Sequence, residues 1–295
     1  MITPKYSICI CNYNMNDTLE RSISSILNQV DDKIEIIVVD DGSNDNSIET
    51  LKKIKNDNLE KNFNFIPLCR DRRRKLGETR NISIKAARGK YVILHIDADD
   101  IWEPYIYSFI KVFHELEKRL NRKNFMLSGR QIQMATRNLL IENPYENVYY
   151  GEDRLLWSKL TTIGCLISLE HRPFRERIPL VNKRKKLLKA IFSQSSAMTV
   201  SFSYSPSIFD TLKGYLRRIF LKSDWGFTSS FLNFSLLIPS LCNGAIINRH
   251  KLYNLARWDY RKLTMIDLNK LEYRTKDKYG IFELSPEERK IYFEN

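Results

Sequence analysis

Short apolar runs alternate with helical segments through the first hundred residues, and three of the runs stop abruptly at polar or acidic residues. Tyr6 to Cys11 (YSICIC) stops at Asn12, Ile34 to Val39 (IEIIVV) at Asp40 and Asp41, and Tyr91 to Ile96 (YVILHI) at Asp97, Ala98, Asp99 and Asp100; Phe63 to Leu68 is a weaker run. Runs this short and this continuously apolar read as strands buried on both faces. Between them, Leu19, Ile23, Ile26 and Leu27 repeat at steps of three and four, Asn44 to Ile54 forms a second helical stretch, and Gly77 to Ala87 a third, closed by Arg88-Gly89-Lys90. The alternation predicts an α/β fold: a mostly parallel central sheet flanked by helices.

In such sheets ligands bind beyond the carboxyl ends of the strands. Asp40-Asp41 and Asp97/Asp99/Asp100 both fall at those ends. Either cluster alone would suit a turn, since Asp accepts local backbone N–H bonds. Together they converge like charges that repel unless a cation joins them. A D-x-D at a strand end offers hard oxygen ligands for Mn²⁺ or Mg²⁺, cations that keep substrate phosphates among their ligands. A calcium loop is excluded, because Ile101-Trp102 follows without the required Gly and distal Glu. Neither G-x-x-x-x-G-K-[ST] nor G-x-G-x-x-G occurs, which excludes P-loop and dinucleotide-binding enzymes of those types.

Five segments resemble family 2 inverting glycosyltransferases of the GT-A fold. They are Ser7 to Asn14 (SICICNYN), Leu19 to Gln29 (LERSISSILNQ), Ile36 to Ser43 (IIVVDDGS), Gly77 to Gly89 (GETRNISIKAARG) and Tyr91 to Pro104 (YVILHIDADDIWEP). A sixth, Gly151 to Trp157 (GEDRLLW), is similar to that family's E-D segment. The resemblance implies transfer of a sugar from a nucleotide diphosphate sugar to a hydroxyl of a glycan or of a polyprenyl-linked glycan. It implies that Asp41, with Asp40 beside it, meets the nucleotide base near Cys11, Asn12 and Tyr13. Arg80 would face the donor diphosphate. Asp97, Ala98 and Asp99 would hold ribose and metal, and Asp153 would be the general base. Trp102 and Glu152 would lie on the acceptor side.

Elementary chemistry fits those roles. The departing phosphates gather negative charge that a divalent cation and an arginine stabilise, and a hydroxyl nucleophile needs a carboxylate to take its proton. Each residue also has a plainer reading. Glu152-Asp153 suits the first turn of any helix, Arg80 could pair with Glu78, and Trp102 could be a core aromatic. His95, inside the fourth run, reads as a core histidine; His114, His171 and His250 have no companions for a triad. A scaffold retaining the shape without activity is the alternative from another class, and three carboxylates kept close together weigh against it. A nucleotidyltransferase would need a Gly-rich basic loop where Asn12-Tyr13-Asn14 stands.

The formal charge is +13, and residues 172–222 concentrate it, with twelve Lys or Arg against Glu176 and Asp210. Apolar residues interleave with the charges from Lys183 to Phe192 and from Leu212 to Phe220, predicting basic amphipathic helices. An anionic membrane surface would suit them, as would a solvated face; no nucleic-acid reader motif accompanies them. Arg70 to Lys75 (RDRRRK) is a further basic cluster, expected near the donor phosphates. Phe227 to Ile247 is too polar to predict a membrane span. The N-terminus does not read as a signal peptide, and five cysteines without paired spacing point to neither a disulfide framework nor a zinc site. The expected place is the cytoplasm, at the inner membrane face. The expected division is a catalytic core over 1–170 and a basic amphipathic region over 171–295, with Ser285 capping a helix that starts at Pro286.

Overall fold

A computed structural model describes residues 3–179, 183–205, 207–221, 227–247 and 260–294. The elements in chain order are β1 (Tyr6–Asn12), α1 (Asn16–Leu27), β2 (Ile34–Asp40), α2 (Ser47–Asp57), β3 (Phe63–Pro67), α3 (Leu76–Ala86), β4 (Tyr91–Leu94) and β5 (Asp100–Trp102). Next come α4 (Ile106–Arg119), β6 (Met126–Ser128), β7 (Gln133–Thr136), α5 (Arg137–Glu142), α6 (Glu152–Thr162), β8 (Leu166–Leu169) and β9 (Arg175–Arg177). The chain ends with α7 (Lys183–Tyr204), α8 (Ile208–Leu221), α9 (Phe227–Ile247), α10 (Tyr260–Thr264), β10 (Met265–Ile266), α11 (Leu268–Tyr279) and α12 (Pro286–Phe293).

Eight strands form one sheet in the order β10-β8-β6-β7-β4-β1-β2-β3, with β7 antiparallel to both neighbours and every other pairing parallel. Alternate residues feed two cores. Ile8, Ile10, Ile36, Val38 and Ile93 face α1, α2 and α4, whereas Cys9, Ile37, Val39, Val92 and Leu94 face α3, α5 and α6. Both faces are therefore covered, which is why the sequence runs are apolar without alternation. The fourth strand is shorter than predicted. It ends at Leu94, because His95 takes the left-handed conformation (φ 63°) and turns the chain out of the sheet.

The core extends past residue 170, so the expected boundary there is not where the packing divides. β9 pairs with β5, β10 joins the sheet beside β8, and Leu268, Phe282, Ile291 and Tyr292 complete the core on the α4 side. The predicted cap is present: Ser285 Oγ accepts from the Glu288 N–H at 3.2 Å, and Glu288 accepts from the Ser285 N–H at 2.7 Å. Helices α7, α8 and α9 form a separate small layer around Met198, Phe202, Tyr215, Ile219 and Leu237. Gly244 is required there, since a Cβ would fall 2.5 Å from that of Phe202. The side chains of residues 183–190 and Arg218, and residues Lys222 and His250, lie outside the described residues.

His171 is fully buried and satisfied on both ring nitrogens: Nδ1 donates to the Arg172 carbonyl at 2.8 Å, and Nε2 accepts from the Arg130 N–H at 2.7 Å. Only the neutral ring fits that pair, and burial holds the imidazole down at about 4. The folded state thus binds fewer protons than the unfolded state as pH falls through about 6.5, so stability declines on acidification. The expected loss is about 1.5 kcal/mol between pH 6.5 and 5 from this group. Urea unfolding across that range checks it: His171→Gln should flatten the decline, and an unchanged slope would exclude this origin.

Candidate active site

The carboxyl ends of β1, β2 and β4 open into a cavity of about 810 Å³. Of the residues expected to act, Cys11, Asn12, Tyr13, Asp41, Arg80, Asp97, Ala98, Asp99, Glu152 and Asp153 all line it. Asp40 does not. Its carboxylate lies beneath, accepting from Asn12 Nδ2 at 2.6 Å, Ser43 Oγ at 2.6 Å and the Ser43 N–H at 2.9 Å. Asp40 therefore ties β1 to the turn after β2, a structural task in place of the expected ligand contact. Trp102 is also corrected. It is buried in the core, edge-on to Phe174 at 5.8 Å, and takes no part in the cavity wall. The cause is β5, whose pairing with β9 covers that side chain.

At one end of the cavity Asp41 accepts from Arg70 Nη1 at 3.1 Å and from Arg74 Nε at 2.6 Å. The Arg70 guanidinium also lies 4.4 Å from the centre of the Tyr13 ring. The basic loop between β3 and α3 thus folds back onto the strand-end carboxylate, leaving a flat cation–aromatic surface beside it. Cys11 stands at the floor, its thiol pushed up to about 12 by burial, and is neutral at physiological pH.

Asp97, Asp99 and Asp100 each bring a carboxylate oxygen within 4.8 Å of the others. Ionised pairs at that separation repel by about 3 kcal/mol each at an effective dielectric constant near 20. Arginines from β9 offset this. Arg177 places Nη2 3.4 Å from both Asp97 and Asp99 and Nε 3.5 Å from Asp100, while Arg175 pairs with the buried Asp100. Burial alone would raise the Asp97 carboxyl, but Arg80 and, after it, Arg177 outweigh it and hold the group below the ordinary carboxylate range. Three hard oxygens already gathered around a positive group fit a divalent cation, and Asp97 and Asp99 are the two of the three residues that line the cavity. Sequence reasoning missed Arg177. Its only trace is the alternation of Arg175-Glu176-Arg177, which puts both arginines on one side of a short strand.

Asp153 and Glu152 open α6, and the helix turns them apart. Gly151 precedes them at φ 88°, a conformation that favours glycine. Glu152 is buried and accepts from Arg80 Nε at 3.2 Å; Arg80 Nη2 in turn lies 3.8 Å from Asp97. Arg80 is buried too, so it is neither a surface residue nor a partner of Glu78 but a brace between the α6 carboxylate and the β4 cluster. Burial pushes Glu152 up, with Arg80 opposing. Asp153 is half-buried and faces the cavity. His95, expected in the core, also lines the cavity, stacked on Trp157 at 5.9 Å; burial and Arg80 hold it down at about 4, so it is neutral at pH 7. The far wall comes from Tyr149 and Tyr150 and from α7, whose Phe192 ring lies 5.4 and 5.9 Å from theirs. No motif marked these aromatics in the sequence.

Comparison with known proteins agrees with this geometry. The chain is 36% identical over 110 residues to an uncharacterized glycosyltransferase of Nostoc sp., covering 37% of this chain and 33% of that one. It is 28% identical over 207 residues to an uncharacterized glycosyltransferase of Haemophilus influenzae, covering 55% and 62%. It is 29% identical over 130 residues to the Escherichia coli UDP-Glc:alpha-D-GlcNAc-diphosphoundecaprenol beta-1,3-glucosyltransferase WfaP, covering 42% and 49%. The chain thus spans about a third to three-fifths of the length of these relatives. Among solved structures, the fold is similar to a mannosyltransferase of Pyrobaculum calidifontis in complex with GDP-Man and Mn²⁺ (TM-score 0.54, 14% identity, 95% of this chain and 88% of that one). It is also similar to S. aureus TarS in complex with UDP-GlcNAc (TM-score 0.55, 15% identity, 83% and 82%). These likenesses make the architecture a GT-A fold. The family model described as glycosyl transferase family 2 matches residues 7–177, more than half of the sequence, and the chain belongs to that family of enzymes.

Proposed function

We propose that the protein is an inverting glycosyltransferase that moves a sugar from a nucleotide diphosphate sugar to a hydroxyl of a glycan or lipid-linked glycan. The observation that carries this is the convergence on one cavity of Asp97 and Asp99, backed by the buried Asp100 and spanned by Arg177, and, on a separate element, the half-buried Asp153. In this reading the base stacks on the Tyr13–Arg70 surface near Asp41, and Arg80 and Arg177 meet the diphosphate. Asp97 and Asp99 hold Mn²⁺ or Mg²⁺, which when bound neutralises charge on the leaving phosphates. The acceptor oxygen attacks the anomeric carbon, its proton passes to Asp153, and the bond to the phosphate oxygen breaks, releasing the nucleoside diphosphate. A single displacement inverts that carbon, as in enzymes that place two functional groups on opposite faces of a sugar.

The acceptor side is the wall of Tyr149, Tyr150 and Phe192, whose rings offer flat faces to a sugar or a prenyl chain. The E. coli relative's named substrate, a sugar on diphosphoundecaprenol, supports an acceptor carried on a lipid; the meeting place in this reading is the cytoplasmic face of an anionic membrane. Thermal shift with UDP, GDP, CDP and dTDP, each with and without Mn²⁺, tests the donor reading. Binding to the folded state raises stability, by about 2.7 kcal/mol at a hundredfold excess over Kd. One nucleotide should raise the melting temperature in a metal-dependent way and thereby name the base. No shift with any of them would turn the reading to a non-catalytic scaffold.

A further inference from the structure

The α7–α9 layer leaves an apolar ridge in water. Along α9, Phe231, Phe234 and Ile238 follow one another at steps of three and four and are 66%, 49% and 67% exposed, while Asn233, Leu237 and Ser240 face inward. Phe220 of α8, 67% exposed, sets its ring edge-on to Phe234 at 5.8 Å, so the two helices share one ridge. On α8 the outward stripe continues as Phe209, Lys213 and Arg217, all exposed. Each large apolar side chain left in water forgoes the free energy of its burial. A contiguous patch of this kind marks a surface that something else covers.

Charge selects the occupant. Lys213 and Arg217 flank the aromatics, Asp210 is the acid on that stripe, and α9 carries no charged residue between Phe227 and Ile247. An aromatic ridge rimmed with cations matches the interface of an anionic bilayer, where apolar side chains enter the acyl boundary and basic ones meet headgroups. Among the described residues no helix is long and apolar enough to cross a membrane.

We propose that the α8–α9 ridge docks in the interfacial layer of an anionic phospholipid membrane, without spanning it. The placement has a use. α7 packs along α9, with Ser195 Oγ 3.4 Å from Ser240 Oγ, and Phe192, Ser193, Gln194 and Ala197 of α7 line the cavity. Docking therefore brings the acceptor wall beside the bilayer. The inference deepens the reading of a lipid-carried acceptor and rests on it for its purpose, but vesicle binding is measured without donor or acceptor, so the two can fail separately.

The test is flotation of the whole chain with vesicles of phosphatidylcholine alone and of phosphatidylcholine mixed with phosphatidylglycerol. Binding should favour the mixed vesicles and weaken with salt. Phe231→Ser with Phe234→Ser, and separately Lys213→Glu with Arg217→Glu, should each lower the bound fraction at least about tenfold. Melting temperature should be unchanged in both, because the replaced side chains are exposed. Three results would overturn the proposal: no flotation of the wild type with the mixed vesicles, equal flotation of the variants, or sedimentation showing a dimer that the serine variant dissociates without altering flotation. The last would assign the ridge to a second copy of the chain.

Discussion

Asp153→Asn should lower sugar transfer by about 10³-fold, in the range for loss of a general base, while leaving donor binding intact. The reasoning is positional. Asp153 faces the cavity, but the cation cluster and its arginines are built without it. Asparagine keeps the size and the first-turn position and removes only the capacity to accept the acceptor's proton. Glu152→Gln provides the contrast. Glu152 is the nearer of the two carboxylates on the buried Arg80, Asp97 lying at 3.8 Å, and weakening such a buried pair costs up to about 3–5 kcal/mol. That variant should lose melting temperature as well as activity; Asp153→Asn should not. Turnover near wild type in the Asp153 variant would end the base assignment, and equal destabilisation in both would mean that the two carboxylates do not divide their roles.

The second large effect is expected at Asp99. Asp99→Ala should weaken metal-dependent nucleotide binding by about 100-fold or more, since even groups that merely orient a ligand are worth 10–100-fold in metal affinity. Arg177→Gln should act in the opposite direction on the donor-free protein. The guanidinium spans the same carboxylates that would hold the cation, so its removal should raise Mn²⁺ affinity. Electron paramagnetic resonance of free Mn²⁺, titrated without nucleotide, reads both changes independently of turnover. Unchanged Mn²⁺ binding in both variants would separate the cluster from metal binding altogether.

The strands and their acidic ends were legible because each depends on a few consecutive residues. Ile34 to Val39 can only be buried on both faces, and Asp97-Ala98-Asp99 follows a strand within one turn. Partnerships across the chain were not legible. Nothing in RDRRRK says that Arg70 and Arg74 close on Asp41, nor in RER that Arg177 reaches Asp97 and Asp99. The Arg177 pairs form because β9 lies antiparallel to β5, and the Asp41 pairs because the loop between β3 and α3 folds back onto the end of β2, both tertiary facts. The same pairing buries Trp102, which a linear reading left free to face the acceptor. His95 failed for a different reason: one residue in the left-handed conformation moved it from the core to the cavity, and a histidine within an apolar run gives no warning of that.

The cavity wall is assembled from two stretches of chain that share no element. Everything through Asp99 supplies the floor and the end holding Asp41 and Tyr13, and Tyr149 onward supplies the facing side. Changes at Tyr149, Tyr150 and Phe192 can therefore reshape that facing side without touching Arg80, Asp97, Asp99 or the Arg177 that spans the two aspartates. A lineage built this way can diversify what it accepts by substituting those three aromatics, and an engineer can do the same while keeping Glu152, Asp153, Arg175 and Arg177 fixed.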